Sequence, residues 1–487
     1  MRFCQSAAAT LALAAVSLAA ADPPNRIKLF ARDGTKPLVE SKKLRQRITE
    51  TQLLNGALDL EEIARLRKVD TRYLGTPGHT GTISYITGLL DEYKDYYTYY
   101  LQDVKVPLAT KAEVLLGGEV LEASPVNLSP ARNVSATIVE AENNGCFESD
   151  FPKDTKGKIV IIKTDECESY VKVHLAAKLG AVGVILYRPN LMYIHGHRLG
   201  MHEEVAGPFV PTVAVSWSTG KMLSKAMKNI TASISITTED VVTQNIIAET
   251  IQGDHDNVLL LSANTDSDQM GTGMSDNGSG VVSLLELAKH LRNYSVKNAV
   301  RFCWWTAQTQ GLLGSSYYVK TASKSELEKI RFSFNLDTLA SLNYAIRVYN
   351  GKINSTDPVV RGPEGSEQVA LEIQRFFKEE MGVIPSMIDY ESLSDNSPFL
   401  AANIPAGGIT SGGRGKKTQE EYERFRGELN FFYDAGYYWM EREDDYFTLN
   451  PTPWLMITEV AAHLTATLAR SFELMKAELP SNVDGAS

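Results

Sequence analysis

Acidic side chains directly follow two of three consecutive apolar runs in the second half of the chain. The run "NVLLLSAN" is followed by Asp266 and Asp276, and the run "IRFSFNL" is followed by Asp337. Carboxylates gathered at one place can bind a divalent cation or accept a proton from water. The run between them, "AVRFCWWT", leads into the polar turn "AQTQG", which contains no acid. Two of the three positions therefore have the chemistry of a metal or acid–base site, and the third lacks it.

The elements that would position these residues belong to an alternating pattern that begins near residue 245. Apolar runs such as "NVLLLSAN", "AVRFCWWT" and "AGGITSG" alternate with helical segments such as "GSGVVSLLELAKHLRN" and "EQVALEIQRFFKEEMG". This alternation predicts a mostly parallel sheet covered by helices on both faces. Sites in such sheets lie at the carboxyl ends of the strands, where the acids are found.

Two earlier stretches have different patterns. Residues 40–105 carry apolar side chains at helical spacing, for example in "ITETQLLNGALDLEEIARL". Residues 106–240 contain short β-branched runs, including "GKIVII", "AVGVILY", "VPTVAVS" and "ASISITT". The second stretch is predicted to be a compact β-rich module inserted into the chain.

The composition limits the class of protein. The chain has 487 residues, is 43% hydrophobic and carries a formal net charge of −10, so we expect a folded protein without a nucleic-acid partner. The start, "MRFCQSAAATLALAAVSLAAADPP", has Arg2, an apolar run and small residues, which predicts a signal peptide cleaved near Ala21. We expect a secreted protein, with a vacuolar or other lumenal location as the alternative, and no membrane anchor.

The order of these motifs resembles the co-catalytic di-zinc aminopeptidases of the aminopeptidase Y and secreted leucine aminopeptidase type. The family pattern is Gly-Ala-His-x-Asp-Ser, Asp-Asn-Gly-Ser-Gly, Glu-Glu before Gly-Leu-Leu-Gly-Ser, Asn-x-Asp, and a late Tyr-His pair. This chain reads "SANTDS", "SDNGSG", "TQGLLGS", "NLDT" and "AGYYWM". The resemblance implies an α/β fold, a mostly parallel mixed sheet sandwiched by helices, with the β-rich module as an inserted protease-associated domain.

The resemblance also implies a domain division. It assigns residues 1–21 to the signal peptide, 22–105 to the N-terminal part of the peptidase-like domain, 106–240 to the protease-associated domain, 241–475 to the main α/β domain and 476–487 to a polar tail.

Three of the family's functional positions retain their residue type. Asp276 matches the aspartate that bridges the two zinc ions, and Asp337 matches the other ligand aspartate. Asp266 matches the aspartate that orients the first ligand histidine.

Four other positions are replaced. Asn264 stands at the first ligand histidine, Gln308 at the general base, Thr309 at the ligand glutamate and Tyr438 at the last histidine. None of the eight histidines of the chain lies at either ligand position; His195, His197 and His202 belong to the inserted module.

The replacements change the expected chemistry. Zinc is the cofactor of the family, but neutral oxygen donors at 264 and 309 bind it poorly, so zinc is not expected here. An amide such as Gln308 cannot take a proton from water. Asp276 and Asp337 could still hold a weakly bound hard cation such as calcium, and Asp276 could instead cap the helix that follows it.

We therefore expect a catalytically inactive pseudo-peptidase. It would retain the aminopeptidase scaffold and bind a peptide or protein ligand in the former active cleft or in the protease-associated domain. Two alternatives remain open: an active metal-dependent aminopeptidase that releases N-terminal residues, and a repurposed enzyme acting on a small peptide-derived metabolite.

The cysteines and sequons fit the secretory pathway. Cys146 and Cys167 flank a strand and could form a disulfide, whereas Cys303 is expected to be a buried free thiol. Glycosylation is predicted at the sequons Asn127, Asn133, Asn229, Asn293 and Asn354. Asn277 also carries a sequon, but a glycan there would fill the cleft.

Overall fold

The computed structural model describes residues 36–65, 70–164, 167–187, 199, 207–225, 230–269, 271–351, 362–390, 394–413, 415–431, 433 and 444–477. Several predictions lie outside these ranges: the signal peptide, the polar tail, the three module histidines, Asn229, Asn354 and Tyr438.

The strands are β1 Tyr97–Leu116, β2 Glu119–Glu122, β3 Ser124–Pro125, β4 Val134–Glu140, β5 Ile159–Lys163, β6 Gly183–Tyr187, β7 Thr212–Val215, β8 Thr231–Thr250, β9 Asp254–Asn264, β10 Asn298–Trp305, β11 Ile330–Leu336, β12 Arg347–Tyr349, β13 Ser386–Ile388 and β14 Ala406–Thr410. The helices are α1 Ser41–Arg45, α2 Glu50–Arg65, α3 Pro77–Glu92, α4 Ser169–Lys178, α5 Trp217–Lys225, α6 Ser279–Leu291, α7 Leu313–Thr321, α8 Lys324–Leu327, α9 Ser366–Phe376, α10 Ser397–Ala401, α11 Gln419–Phe425 and α12 Pro451–Leu468. Single turns of other helical types cover Glu148–Asp150, Met274–Gly278, Phe377–Met381, Tyr446–Thr448 and Glu473–Lys476.

The α/β sheet has the strand order β13-β12-β14-β11-β9-β10-β8. Its four central strands, β14, β11, β9 and β10, are parallel, and antiparallel pairs join β12 to β14 and β8 to β10. Parallel strands need crossover connections, which are usually helical. Helix α6 connects β9 to β10, and α7 and α8 connect β10 to β11. The mostly parallel mixed sheet predicted from the sequence is therefore confirmed.

Helices cover both faces of this sheet. Alternate residues of β10 show the division, since Phe302 and Trp304 belong to one core cluster and Cys303 and Trp305 to another. The first cluster contains apolar residues of α2, α6 and α12, and the second contains residues of α7 and α10. The mostly apolar character of β10 follows from this burial on both faces.

The inserted module is built on a long antiparallel ribbon. Strands β1 and β8 have 20 residues each and pair from Tyr97 opposite Thr250 to Leu116 opposite Ala232. One end of β8 pairs with β10 of the α/β sheet, and the other end pairs with β4 of the module. The module sheet continues through β5, β6 and β7 to β3. Both long strands run without a break across the predicted boundaries near residues 105 and 240.

The cysteines have the predicted states. Cys146 and Cys167 form a disulfide with a Cα–Cα distance of 5.9 Å, and Cys303 is a buried free thiol. Within the described ranges, no helix combines the length and the apolar character needed to cross a bilayer.

Candidate functional site

The carboxyl ends of β9, β10 and β11 meet at one edge of the sheet. Asn277, in the turn before α6, ties two of them together. Its Nδ2 donates to Asn264 Oδ1 and to the Leu336 carbonyl, both at 2.8 Å. Its Oδ1 accepts hydrogen bonds from the backbone N–H groups of Gly280, at 3.0 Å, and Thr338, at 3.1 Å. Asn277 Oδ1 therefore satisfies one of the first backbone N–H groups of α6, a capping contact that the sequence analysis considered for Asp276.

Asn264 is fully buried at the end of β9. Its Oδ1 accepts from Asn277, and its Nδ2 donates to the backbone carbonyl of Asp266 at 3.0 Å. Both ends of this amide are therefore engaged within the protein, at the position that the sequence resemblance assigns to the first ligand histidine.

Asp266 holds the turn that follows β10. Its Oδ1 accepts the backbone N–H of Gln308 at 3.0 Å, and its Oδ2 accepts the backbone N–H of Thr309 at 2.9 Å. Thr309 Oγ1 donates to the same Oδ2 at 2.8 Å and accepts from Gln310 Nε2 at 2.7 Å. The fully buried carboxylate thus orients a neutral turn.

Asp276 is positioned by a second aspartate, Asp444. The two carboxylate oxygens of Asp444 accept the backbone N–H groups of Ser275, at 2.6 Å, and Asp276, at 2.9 Å. Burial and the charge of Asp276 raise the pKa of Asp444 to about 7, against the lowering effect of these hydrogen bonds and of Arg72. Asp276 itself is half-buried.

Asp337 directly follows β11 and is also half-buried. Its Oδ1 accepts a hydrogen bond from Thr338 Oγ1 at 3.1 Å. The structure therefore brings Asn264, Asp266, Asp276, Gln308, Thr309 and Asp337 to the same edge of the sheet. Tyr438 lies outside the described residues.

A buried arginine fixes the loop after β9. Arg72 is fully buried, and its Nε donates to the Thr272 carbonyl at 2.8 Å. Its Nη1 donates to the Thr265 carbonyl at 2.6 Å, and its Nη2 donates to the Gly273 carbonyl. Burial lowers the pKa of Arg72, and the charge of Asp444 opposes this effect most strongly. The guanidinium is thus satisfied by three carbonyl groups.

Asp395 lies behind the site, between α7 and α10. Its Oδ1 accepts the Ser315 hydroxyl at 2.5 Å, and its Oδ2 has no hydrogen-bond partner among the residues that the structure describes. Burial raises its pKa to about 7, although the hydrogen bond from Ser315 acts in the opposite direction.

The donors among the described residues do not fit a zinc ion. Within the described part of the chain, no group of three or more His, Cys, Asp and Glu side chains is arranged to hold a metal. The positions at 264 and 309 offer an amide and a hydroxyl that hydrogen-bond within the protein. Zinc sites need several imidazole, thiolate or carboxylate ligands around one ion.

Three supporting residues were missed from the sequence. The segment "EREDDYF" contains Asp444 and "SDNSPF" contains Asp395, and neither residue was assigned a role. Arg72 stands two residues before "LGTPGH" without a distinguishing motif. Their roles depend on contacts across long sequence separations, which no local pattern reveals.

Comparison with known proteins identifies the family and the inserted domain. The model of peptidase family M28 matches residues 245–465, and the PA domain model matches residues 134–223. The chain is 35% identical to a probable leucine aminopeptidase 2 of Aspergillus fumigatus, over 90% of this chain and 87% of the relative. It is 33% identical to leucine aminopeptidase 2 of Trichophyton equinum, over 90% and 88%. The chain belongs to peptidase family M28 and carries an inserted PA domain.

Solved structures show the same fold. A zinc aminopeptidase from Bacillus subtilis has a TM-score of 0.64 at 21% identity and covers 86% of this chain and 95% of its own. An aminopeptidase from Aneurinibacillus sp. strain AM-1 has a TM-score of 0.63 at 21% identity and covers 88% and 96%.

Proposed function

We propose that this chain is a secreted, aminopeptidase-like protein that has lost zinc-dependent hydrolysis and uses the former cleft, or the inserted module, to bind a peptide or protein ligand. One observation carries the proposal: Asp266 accepts three hydrogen bonds from the turn at Gln308 and Thr309. A residue expected to orient a metal ligand instead stabilises a turn without acids.

The loss of the base supports the same conclusion. The side chain at position 308 is an amide, which cannot act as a general base at neutral pH. General-base catalysis contributes about 100- to 10,000-fold, and a metal-activated water contributes further. Removing both leaves too little acceleration for peptide hydrolysis.

The two half-buried acids, Asp276 and Asp337, would give a ligand-binding cleft at the strand ends a negative rim. A peptide α-ammonium group is the complementary ligand, and the pair could also hold a weakly bound cation such as calcium. The 35% identity to a protein named a probable leucine aminopeptidase, over 90% of this chain, supports the alternative that the chain is an active enzyme. The experiments below discriminate between the two.

The first experiment measures metal content and turnover of the purified, secreted protein. We expect substoichiometric zinc, and no hydrolysis of Leu-, Lys- or Xaa-Pro chromogenic substrates with added zinc or cobalt. Near-stoichiometric zinc with chelator-sensitive turnover would establish the active enzyme and overturn the proposal.

The second experiment restores the family residues. The combined variant Asn264→His, Gln308→Glu, Thr309→Glu and Tyr438→His should gain zinc and measurable turnover if the residue assignments are right. The variant Gln310→Glu, which adds one acid to the same turn outside the assigned positions, serves as the control and should gain neither. A folded quadruple variant with no zinc would contradict the assignments.

The third experiment tests ligand binding with fluorescent Leu-terminated peptides. Reversing charge in Asp276→Arg plus Asp337→Arg should weaken binding at least tenfold by repelling the α-ammonium. Glu92→Arg, at the exposed end of α3 and outside the module, is the matched control. Equal affinity of both variants would place the ligand outside the cleft.

A further inference from the structure

A serine, a histidine and a glutamate form a hydrogen-bonded chain far from the strand-end site. Ser41 is the first residue of α1, His463 lies on α12 and Glu372 lies on α9. The distance from Ser41 Oγ to His463 Nδ1 is 2.8 Å, and the distance from His463 Nε2 to Glu372 Oε1 is also 2.8 Å. These are normal hydrogen-bond lengths for a nucleophile, a base and an orienting carboxylate.

The imidazole is held in one position by its surroundings. Its ring stacks on Phe376 with a centroid distance of 4.2 Å, and its side chain is only 11% exposed. Glu372 is held in turn by Arg375, with Nη2 2.6 Å from Oε1 and Nε 2.8 Å from Oε2. Burial disfavours the Glu372 carboxylate, but hydrogen bonds from His463 and Arg375 outweigh it and lower its pKa to about 2.

This arrangement selects a tautomer. An ionised Glu372 accepts the Nε2 proton, so the lone pair of Nδ1 faces the Ser41 hydroxyl. The nitrogen order is the reverse of that in the serine proteases, but the roles of nucleophile, base and orienter are assigned by geometry.

Ser41 lines a surface depression of about 400 Å³ between α1 and the end of α12. Ala466 and Leu474 contribute apolar surface, and Arg470 lines the same depression. One N–H group of Arg470 donates to the Val39 carbonyl at 3.1 Å, and a guanidinium has four more. A small acyl group fits the volume, and Arg470 can stabilise a developing oxyanion.

We propose that Ser41, His463 and Glu372 form a second site that hydrolyses small, activated acyl esters by a serine mechanism. The Ser41 oxygen attacks the ester carbonyl while its proton passes to His463 Nδ1. The bond to the alcohol breaks, and the leaving oxygen takes that proton. Water then attacks the acyl-serine with the same base, which releases the carboxylic acid and regenerates the hydroxyl.

The test uses a fluorophosphonate probe on the full chain, with the labelled residue mapped by mass spectrometry. Ser41 should be labelled, and Ser41→Ala should abolish the signal. Ser84 is exposed on α3 and does not line the depression, so Ser84→Ala is the control and should leave labelling unchanged. Hydrolysis of p-nitrophenyl butyrate should follow the same pattern and resist chelators, which separates it from any metal-dependent activity.

Two variants test the roles of His463 and Glu372 in the hydrogen-bonded chain. His463→Gln should slow labelling about 100-fold through loss of the base, and Glu372→Gln should slow it about tenfold through loss of orientation. Thermal unfolding of each variant establishes that it is folded. Labelling of Ser41 no faster than that of Ser84, or an unchanged rate in either folded variant, would overturn the proposal.

Discussion

At the scale of single residues, hydrogen bonds within the protein organise the strand-end site. A metal-dependent enzyme would use the same positions to bind metal ions. Asn264 and Thr309 stand at expected ligand positions, and both are bonded within the protein. Buried polar groups are stable only when their partners are present. Each replacement is therefore accommodated by its neighbours, which is why the edge of the sheet keeps its shape.

The Asp266 interactions lead to a first prediction. Asp266→Ala removes the acceptor of two buried backbone N–H groups, so the free energy of unfolding should fall by about 2–4 kcal/mol. Chemical denaturation measures the loss. Asp268→Ala, at an exposed aspartate two residues later, should change it by less than about 1 kcal/mol. Equal effects of the two variants would contradict the assigned role.

Asp395 leads to a prediction on pH. The pKa of its buried carboxyl is raised from 3.8 to about 7, so the folded protein binds this proton more tightly than the unfolded chain. The stability that this proton contributes is complete below about pH 4 and is lost as the pH rises to about 7. Asp395→Asn keeps the acceptor for Ser315 and cannot ionise. Its free energy of unfolding should therefore exceed that of the wild type by a growing margin, a few kcal/mol at pH 8.

Urea denaturation at pH 4.5, 6 and 8 measures this margin. Asp389→Asn, at an exposed position, is the control and should run parallel to the wild type. A constant difference between Asp395→Asn and the wild type across these pH values would refute the expectation.

The residues of the site were only partly predictable from the sequence. The placement of Asp266, Asp276 and Asp337 at strand ends followed from the alternating pattern, because parallel strands end at one edge of the sheet. The capping role of Asn277 was not predicted, because Asp276 and Asn277 are equally good capping residues and the choice depends on how the turn folds. Asp444 anchors Ser275 across 169 residues of sequence, a separation that no local pattern can show.

At the scale of elements, the loop between β9 and α6 depends on a residue from a distant segment. The guanidinium of Arg72, which lies between α2 and α3, holds the carbonyls of Thr265, Thr272 and Gly273. Only a planar group with several fixed donors satisfies three carbonyls in different directions. The conformation of the loop that carries Asp266 and leads to Asp276 therefore depends on Arg72, a residue outside the loop.

A third prediction follows for this loop. Arg72→Lys keeps the charge but loses two of the five donors and the planar geometry that reaches three separate carbonyls, so the free energy of unfolding should fall by about 2–5 kcal/mol. Amide hydrogen exchange in residues 265–276 should become faster than in β9. Arg65→Lys, at a side chain that is 49% exposed and paired with Glu61, should change little. Unchanged exchange in the loop of Arg72→Lys would contradict this role.

The elements themselves were well predicted, apart from two. The sequence indicated the α/β alternation because each segment has its own periodicity. It did not indicate that β1 and β8 would each be a single 20-residue strand. A strand has the same alternating pattern on both sides of a domain boundary, so the pattern contains no signal at the point where it passes from one sheet to the other.

At the scale of the whole molecule, the predicted glycosylation sites differ in whether their asparagine is buried or exposed. Asn127 is buried, and its Nδ2 donates to Tyr73 Oη at 3.0 Å, a contact between the module and the segment before α3. A glycan on that nitrogen would break the contact, which argues against the predicted site. Asn133 and Asn293 are exposed.

The fourth prediction concerns occupancy in secreted material. Enzymatic deglycosylation in heavy-oxygen water should mark Asn133 and Asn293 and leave Asn127 and Asn277 unmarked. The same digest should yield a mature N-terminus near Asp22. A marked Asn127 would contradict the burial argument, and a retained N-terminal leader would contradict secretion.

The ribbon of β1 and β8 has a mechanical consequence. Paired strands, and not a flexible linker, connect the inserted module to the α/β sheet, so free rotation of one against the other would break backbone hydrogen bonds. The module can therefore move relative to the α/β sheet by bending or twisting the ribbon. The ribbon resists such deformation elastically. A force on the module would be transmitted through β8 to its neighbour β10. It would then act on the turn that follows β10, which Asp266 holds by hydrogen bonds.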